Sequence, residues 1–208
     1  MTVASLAKLS VPLPPGQSAQ NQGLLMPKLA YRFRVTLINF GVTSPTTEIT
    51  KQVISVTRPD VSFDEVVLDA YNSRVNLTGK PKWGDVTLVV RDDATGAVQQ
   101  LCGEQIQKQF DFYEQSSAAS GIDYKFTTLI EILDGGNGAY QPNVLESFEL
   151  DGCLINKIKY ADANYKESTP LQIDMTIRFD TAIQFNPANT PYGIGENVGR
   201  TVGTLSTG

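Results

Sequence analysis

The chain has 208 residues, with 22 acidic and 17 basic side chains, a formal charge of −5 and no histidine. That length suits one domain of ordinary size, whose core buries roughly 70% of the unfolded chain's surface without metal or disulfide staples. The acidic balance argues against a tight grip on nucleic acid, which normally rests on a basic face. The missing histidine removes Ser-His-Asp and Cys-His nucleophilic sites and most zinc sites together.

Residues 1–26 are rich in Pro, Gln and Ser with scattered leucines, and read as an N-terminal arm without a fold of its own. Lys8 and three prolines interrupt the opening stretch, so no signal peptide is expected. No apolar run approaches the roughly 20 residues of a membrane helix, so no stable membrane association is expected.

Residues 27–185 carry the periodic signal. YRFRVTLINF alternates Tyr31, Phe33, Val35 and Leu37 with Arg32, Arg34 and Thr36, as a half-buried strand does. KQVISVTRP and VSFDEVVLDAY follow as strands joined at Pro59-Asp60, a turn-forming pair. SRVNLTG, a tight Lys-Pro-Lys turn and WGDVTLVVRD come next, ending at Asp92-Asp93. One helix is expected from about Thr95 to Ser117, with Val98, Leu101, Cys102, Ile106, Phe110 and Tyr113 on its apolar face and Ser120-Gly121 as its stop. YKFTTLIEIL, VLESFEL, CLINKIKY and LQIDMTIRFDTAIQF continue as strands. In the last of these, Leu171, Ile173, Met175, Ile177 and Phe179 face inward, against Gln172, Asp174, Thr176 and Arg178 outward. Residues 186–208 read as a second, Gly/Thr-rich arm. The pattern predicts a mainly β chain: a rolled antiparallel sandwich or partly closed barrel with one flanking helix.

Few residues invite chemistry. Asp92-Asp93 ends a strand, a common catalytic placement, yet with Thr95 it also stands where side-chain oxygens cap helical N–H groups and acids favour the dipole. The loop DGGNG lacks the alternating acids and terminal bidentate Glu of a calcium loop and reads as a hairpin connection. There is no phosphate-cradling glycine motif, and YGIGENVG has no helix after it. A glycosidase-like carboxylate pair needs only two acids at a set distance, and no motif favours one. Cys102 and Cys153 are too far apart for a redox or metal motif; they read as small buried hydrophobes in a reducing compartment, a disulfide between them being the alternative. No catalytic residue, cofactor or metal is assigned.

SRVNLTGKPKWGDVTLVVRDD followed by a helix resembles the hallmark segment of tail tube proteins from contractile bacteriophage tails. PKLAYRFRVTLINF, VISVTRPDVSFDEV, FELDGCLINKI and LQIDMTIRFD fall in that family's order across residues 27–185. The long N-terminal arm, the glycine-rich tail and the extended DGGNGAYQPN loop depart from it. The resemblance implies a tube β domain whose hexameric rings join their sheets into one ring-wide barrel and stack inside a sheath. It implies the sheath, baseplate and tail-terminator proteins as partners and transient passage of DNA without specific binding. It also implies a place in the virion tail after assembly in the host cytoplasm, with no catalysis. Type VI secretion and bacteriocin tubes look similar and form the alternative. From another class, a carbohydrate-binding or adhesin-like sandwich would be a stable monomer with an exposed aromatic patch; Trp83, the only tryptophan, sits where a turn would pack it.

Assembly also answers a physical need, because open strand edges are a hazard that ring closure removes. The segment from Thr43 to Tyr71 is expected to project onto the next ring, its charges Lys51, Arg58, Asp60, Asp64, Glu65 and Asp69 being of both signs; Arg58, Asp60, Asp64 and Glu65 are the contact candidates. Glu131, Glu149, Gln172, Asp174 and Thr176 are the candidates for lining the bore. The lack of lysine at 172, 174 and 176 suits an acidic or neutral lumen, since a lysine ring would hold passing phosphates. Arg178 is expected at a subunit boundary, paired with an acid.

Overall fold

The computed structural model describes residues 5–10, 23–25, 27–42, 46–135, 141–166 and 168–197. In chain order its elements are β1 (Ser5–Ser10), β2 (Gly23–Leu25), β3 (Phe33–Ile38), α1 (Thr47–Gln52), β4 (Val53–Val56), β5 (Val61–Ala70) and β6 (Ser73–Trp83). There follow β7 (Val86–Arg91), α2 (Ala97–Gln109), β8 (Phe110–Asp111), β9 (Ser116–Ser117), β10 (Phe126–Leu133), β11 (Val144–Tyr160), β12 (Gln172–Arg178) and β13 (Thr181–Phe185). The chain is mainly β with antiparallel pairing throughout, as its alternating strands require.

The body is one sheet in the order β3-β10-β11-β12-β7-β4, with β13 also on β11. β11 runs for 17 residues and serves both halves of this sheet. Its first part pairs with β10 and β13, its second with β12. The change of partner falls at Gly152, whose φ of +69° favours glycine and whose added Cβ would lie 2.2 Å from the Asp180 carboxylate. An irregularity between Ile155 and Lys157 then bends the strand. The two half-sheets thereby close over one core: Val35 and Leu37 of β3, Ile130 of β10, Leu150 of β11, Ile173, Met175 and Ile177 of β12, and Val86, Leu88 and Val90 of β7. α2 lays Val98, Leu101 and Cys102 into that core, the Cys102 sulfur 3.6 Å from that of Met175.

Two polar side chains of α2 do structural work in this core. Gln105 is buried; it accepts from the Gly41 N–H at 3.1 Å and donates to the Tyr124 carbonyl at 2.6 Å. Gln109 donates to the Ile155 carbonyl at 3.0 Å and accepts from the Ile155 N–H at 2.8 Å. It thus completes the backbone where β11 is irregular.

The structure corrects several local expectations. α2 ends at Gln109, not near Ser117, because the chain turns extended at Phe110 and pairs Phe110-Asp111 with Ser117-Ser116. The Asp111 carboxylate gathers the N–H groups of Tyr113 and Glu114, a local bonding pattern that competes with helix, and Tyr113 is left 95% exposed. A second helix, α1, occupies Thr47–Gln52 and takes Lys51-Gln52 from the start of the expected strand; it buries Ile49, too short a pattern to read as helix. Lys80-Pro81-Lys82 is no turn but lies inside β6, the break coming at Gly84. In a two-stranded ribbon each strand has a free side, so Pro81 can sit there without costing a ladder bond. The strands flanking Pro59-Asp60 do not pair with one another: β4 joins β7, and β5 joins β6. The loop after β10 is the expected hairpin connection to β11, closed by Asp134 and Asn143 through bonds of 2.8 to 3.0 Å.

β1 and β2 pair with each other in the 1–26 segment. After β13, residues 186–197 fold back, with the Gln184 N–H donating to the Ile194 carbonyl and the Tyr192 N–H to that of Gln184.

Candidate assembly surfaces

Among the described residues, the β5–β6 hairpin gathers a long run of exposed apolar side chains. Its residues pair Val66 with Leu77, Leu68 with Val75, Val67 with Asn76 and Asp69 with Arg74. Since opposed residues share a face, Val66, Leu68, Val75 and Leu77 form one apolar face, each side chain about half exposed. The other face mixes Phe63 and Val67 with Glu65, Thr78 and the Asp69–Arg74 ion pair at 2.8 Å. Lys82 and Asp64 pair at 2.7 Å toward the root, and Tyr71 is fully exposed at the tip. At about 3.3 Å per residue such a ribbon extends on the order of 30 Å. An isolated two-stranded hairpin is marginal in water, and one with apolar side chains on both faces wants a partner.

The projecting element is therefore 61–83, displaced from the expected 43–71. Asp64, Glu65 and Asp69 lie on it, Arg58 and Asp60 at its root, Lys51 on α1, and Thr43 outside the described residues.

The bore candidates all lie on the outer face of the body sheet but divide between its halves. Glu131 and Glu149 share the β10–β11 half with Leu129 and Ser147, beside a shallow cavity of about 340 Å³ that the 186–189 turn borders. Glu131 is buried and held by the Arg34 guanidinium at 2.5 Å, a bond that raises the arginine's pKa. Gln172, Asp174 and Thr176 stand half-buried on β12, alternating with buried Ile173, Met175 and Ile177 as expected. Register brings to the same face what one strand alone could not reveal: Lys159 opposite Asp174, Lys157 opposite Thr176, and Arg91 opposite Gln172. The lysine-free pattern at 172, 174 and 176 thus does not extend to the face as a whole. The only signal in sequence was the Lys-x-Lys of CLINKIKY, whose neighbour could not be read.

Arg178 finds its acid in its own chain, binding Asp85 through two bonds of 2.9 and 3.2 Å. This bidentate contact holds the Asp85 carboxyl below the usual range, with a further bond from Asn156. Asp93 caps α2 from a distance, accepting from the Thr95 hydroxyl and from the Val98 N–H at 3.2 Å; these bonds lower its pKa. Asp92 is half-buried, with one carboxylate oxygen unpartnered among the described residues. Cys102 and Cys153 are free thiols, which overturns the disulfide alternative; burial pushes them up to about 12 and about 11. Among the described residues no cluster of three acids or thiols could hold a metal, and no helix is long and apolar enough to cross a membrane.

No protein-family model matches the chain, and no curated protein does. Solved structures do. A chain in the anti-feeding prophage cap, the tube-terminating cap, matches with a TM-score of 0.55 at 15% identity, covering 77% of this chain and 92% of that one. One in the PVC sheath-tube complex of an extracellular contractile injection system, in the extended state, matches at 0.54 and 14%, with the same coverages of 77% and 92%. A third, in the anti-feeding prophage baseplate, matches at 0.51 and 12%, covering 78% and 97%. The antiparallel body described above thus shares its fold with chains of a tube-terminating cap, a sheath-tube complex and a baseplate.

Proposed function

We propose that the chain is a structural tube subunit, with residues 27–185 as the tube domain and 1–26 and 186–208 as arms. Hexameric rings of it stack into the inner tube of a contractile tail, which crosses an envelope by shape and rigidity, without catalysis. The observation that carries this reading is the β5–β6 hairpin: a ribbon with apolar side chains exposed on both faces, borne by a body with this fold. The hairpin reaches the next ring, with Arg58, Asp60, Asp64 and Glu65 setting its register. The outer face of the body sheet, with Glu131, Glu149, Gln172, Asp174 and Thr176, lines the bore. Sheath, baseplate and terminator proteins are the partners, and the assembled particle acts outside the cell that made it.

A phage tail conducting DNA is the first reading; a type VI secretion or bacteriocin-like tube is the second, supported by the injection-system chains that share the fold. For the carbohydrate-binding reading, the only tryptophan, Trp83, is half-buried against Phe179 with ring centres 5.4 Å apart, the packed placement that weakens it. Negative-stain imaging of the purified protein tests the proposal, with rings or rods expected. A chain that stays monomeric in analytical ultracentrifugation at high concentration, with and without tail-initiator components, would overturn it.

A further inference from the structure

Although the chain is acidic overall, the outer face of the β7–β12–β11 half-sheet is not. It carries Arg91, Lys157 and Lys159, all exposed, around Asp174, the one carboxylate that these strand segments place there. No ion pair among the described residues engages the three cations. Lys157 and Lys159 are two residues apart on one strand face, hence about 6.6 Å along it. Two further acids border it: Asp85, already engaged by Arg178 and Asn156, and Asp162, in the loop beside a cavity that also touches Lys159 and Asp174.

We propose that this face is a contact strip for the backbone of a nucleic acid, weak and blind to sequence. Charge complementarity supplies the attraction, and the neighbours fit the chemistry: Thr87, Thr176 and Gln172 offer the hydroxyl and amide groups that contact phosphate oxygens. The strand face itself holds no aromatic ring on which a base could stack, and exposed Tyr165 stands off it in the loop beside the same cavity, so contact on the strands is with the backbone. An acidic folded protein is the poorer fit, because a stable protein interface needs a buried aromatic or large apolar anchor, and these strands offer only Val89 and the half-buried Leu154. Asp174 sits opposite Lys159 and trims the attraction, which keeps contact transient. The inference rests on the proposed function only in making this face the bore. There, the strip would steady a passing strand without holding it.

The test is binding of a fluorescent single-stranded oligonucleotide to the full-length protein by anisotropy across a salt series, with sedimentation on the same samples. Three released counterions give a slope of log K against log salt of about −2 per subunit. K157E/K159E should flatten that slope toward zero, R91Q should reduce it by a smaller amount, and D174K should steepen it. K80E, which changes the hairpin instead, should leave it unaltered. Absence of wild-type binding at low salt overturns the strip, as does an equal loss in K80E, which would make the effect one of net charge. Polyglutamate competing as well as the oligonucleotide would overturn the assignment of partner. A monomer that binds with the expected slope sinks the tube and keeps the strip, whereas rods that bind nothing do the reverse.

Discussion

β7 and β5 are built from similar residues and treated in opposite ways. VTLVVR of β7 buries Val86, Leu88 and Val90 completely, whereas VSFDEVVLDA of β5 leaves Val66, Val67 and Leu68 about half exposed. β7 has a strand on each edge, β12 and β4, and the core layer behind it; β5 has only β6. Apolar alternation therefore says that a segment will be a strand, and says nothing about what covers it. In the body the cover is the chain itself. On the hairpin no described residue outside β5 and β6 supplies it.

The sharpest way to break this comparison is a matched pair of truncations. L88A should cost about 2–5 kcal/mol, with most of its neighbours unable to collapse into the gap. L68A should cost under about 0.5 kcal/mol, as exposed substitutions do, while weakening assembly. Urea unfolding of both variants checks this. A large loss in L68A would mean that the hairpin packs on its own body.

Next in size is Q109A. It strips the N–H and C=O of Ile155 of their partners at the irregular point of β11, for a loss of about 1–3 kcal/mol. Q107A, on the exposed side of the same helix, should change little, and thermal unfolding of the pair separates the two.

For the hairpin, charge reversal at both Arg58 and Asp64 should leave unfolding almost untouched, since the exposed Lys82–Asp64 pair contributes about 0–1 kcal/mol. The same variant should stay soluble and fail to polymerise. Normal rods from it would remove these residues from the inter-ring contact.

The smallest effect concerns pH. The Asp85 carboxyl is lowered by Arg178 from a reference of 3.8, so the fold prefers its ionised form. Its contribution is present above the unfolded value and is lost as pH falls through the lower folded value. Solvent screening keeps the contribution small. D85N should flatten the acid limb of the stability profile below that reference; an unchanged limb would show that the Arg178 contact adds nothing.

Much of the body was legible because its strands obey a local rule. Gln172 to Arg178 alternate faces as read, and the hairpin between β10 and β11 forms where Asp134 and Asn143 flank the glycines. The capping role of Asp93 was legible for the same reason, since it depends on residues only a few positions away. The misreadings fall where two choices were locally equivalent. Phe110 and Tyr113 continue the helical spacing of Val98 and Ile106, yet Asp111 draws the following N–H groups to itself and ends α2. Lys80-Pro81-Lys82 fits a turn or a ribbon with a free side, and only the pairing with β5 selects the second.

The sequence by itself determined which residues share a strand face, how polar each face is and that no histidine chemistry is available, because these depend on the side chains and a period of two. Tertiary structure alone decided which strands lie side by side. That choice set Lys157 and Lys159 beside Thr176 and Asp174, moved the projecting hairpin to 61–83 and left its apolar faces open. Strand pairing is non-local: it is selected by core closure across β11 and its bend at Gly152, which no single segment encodes.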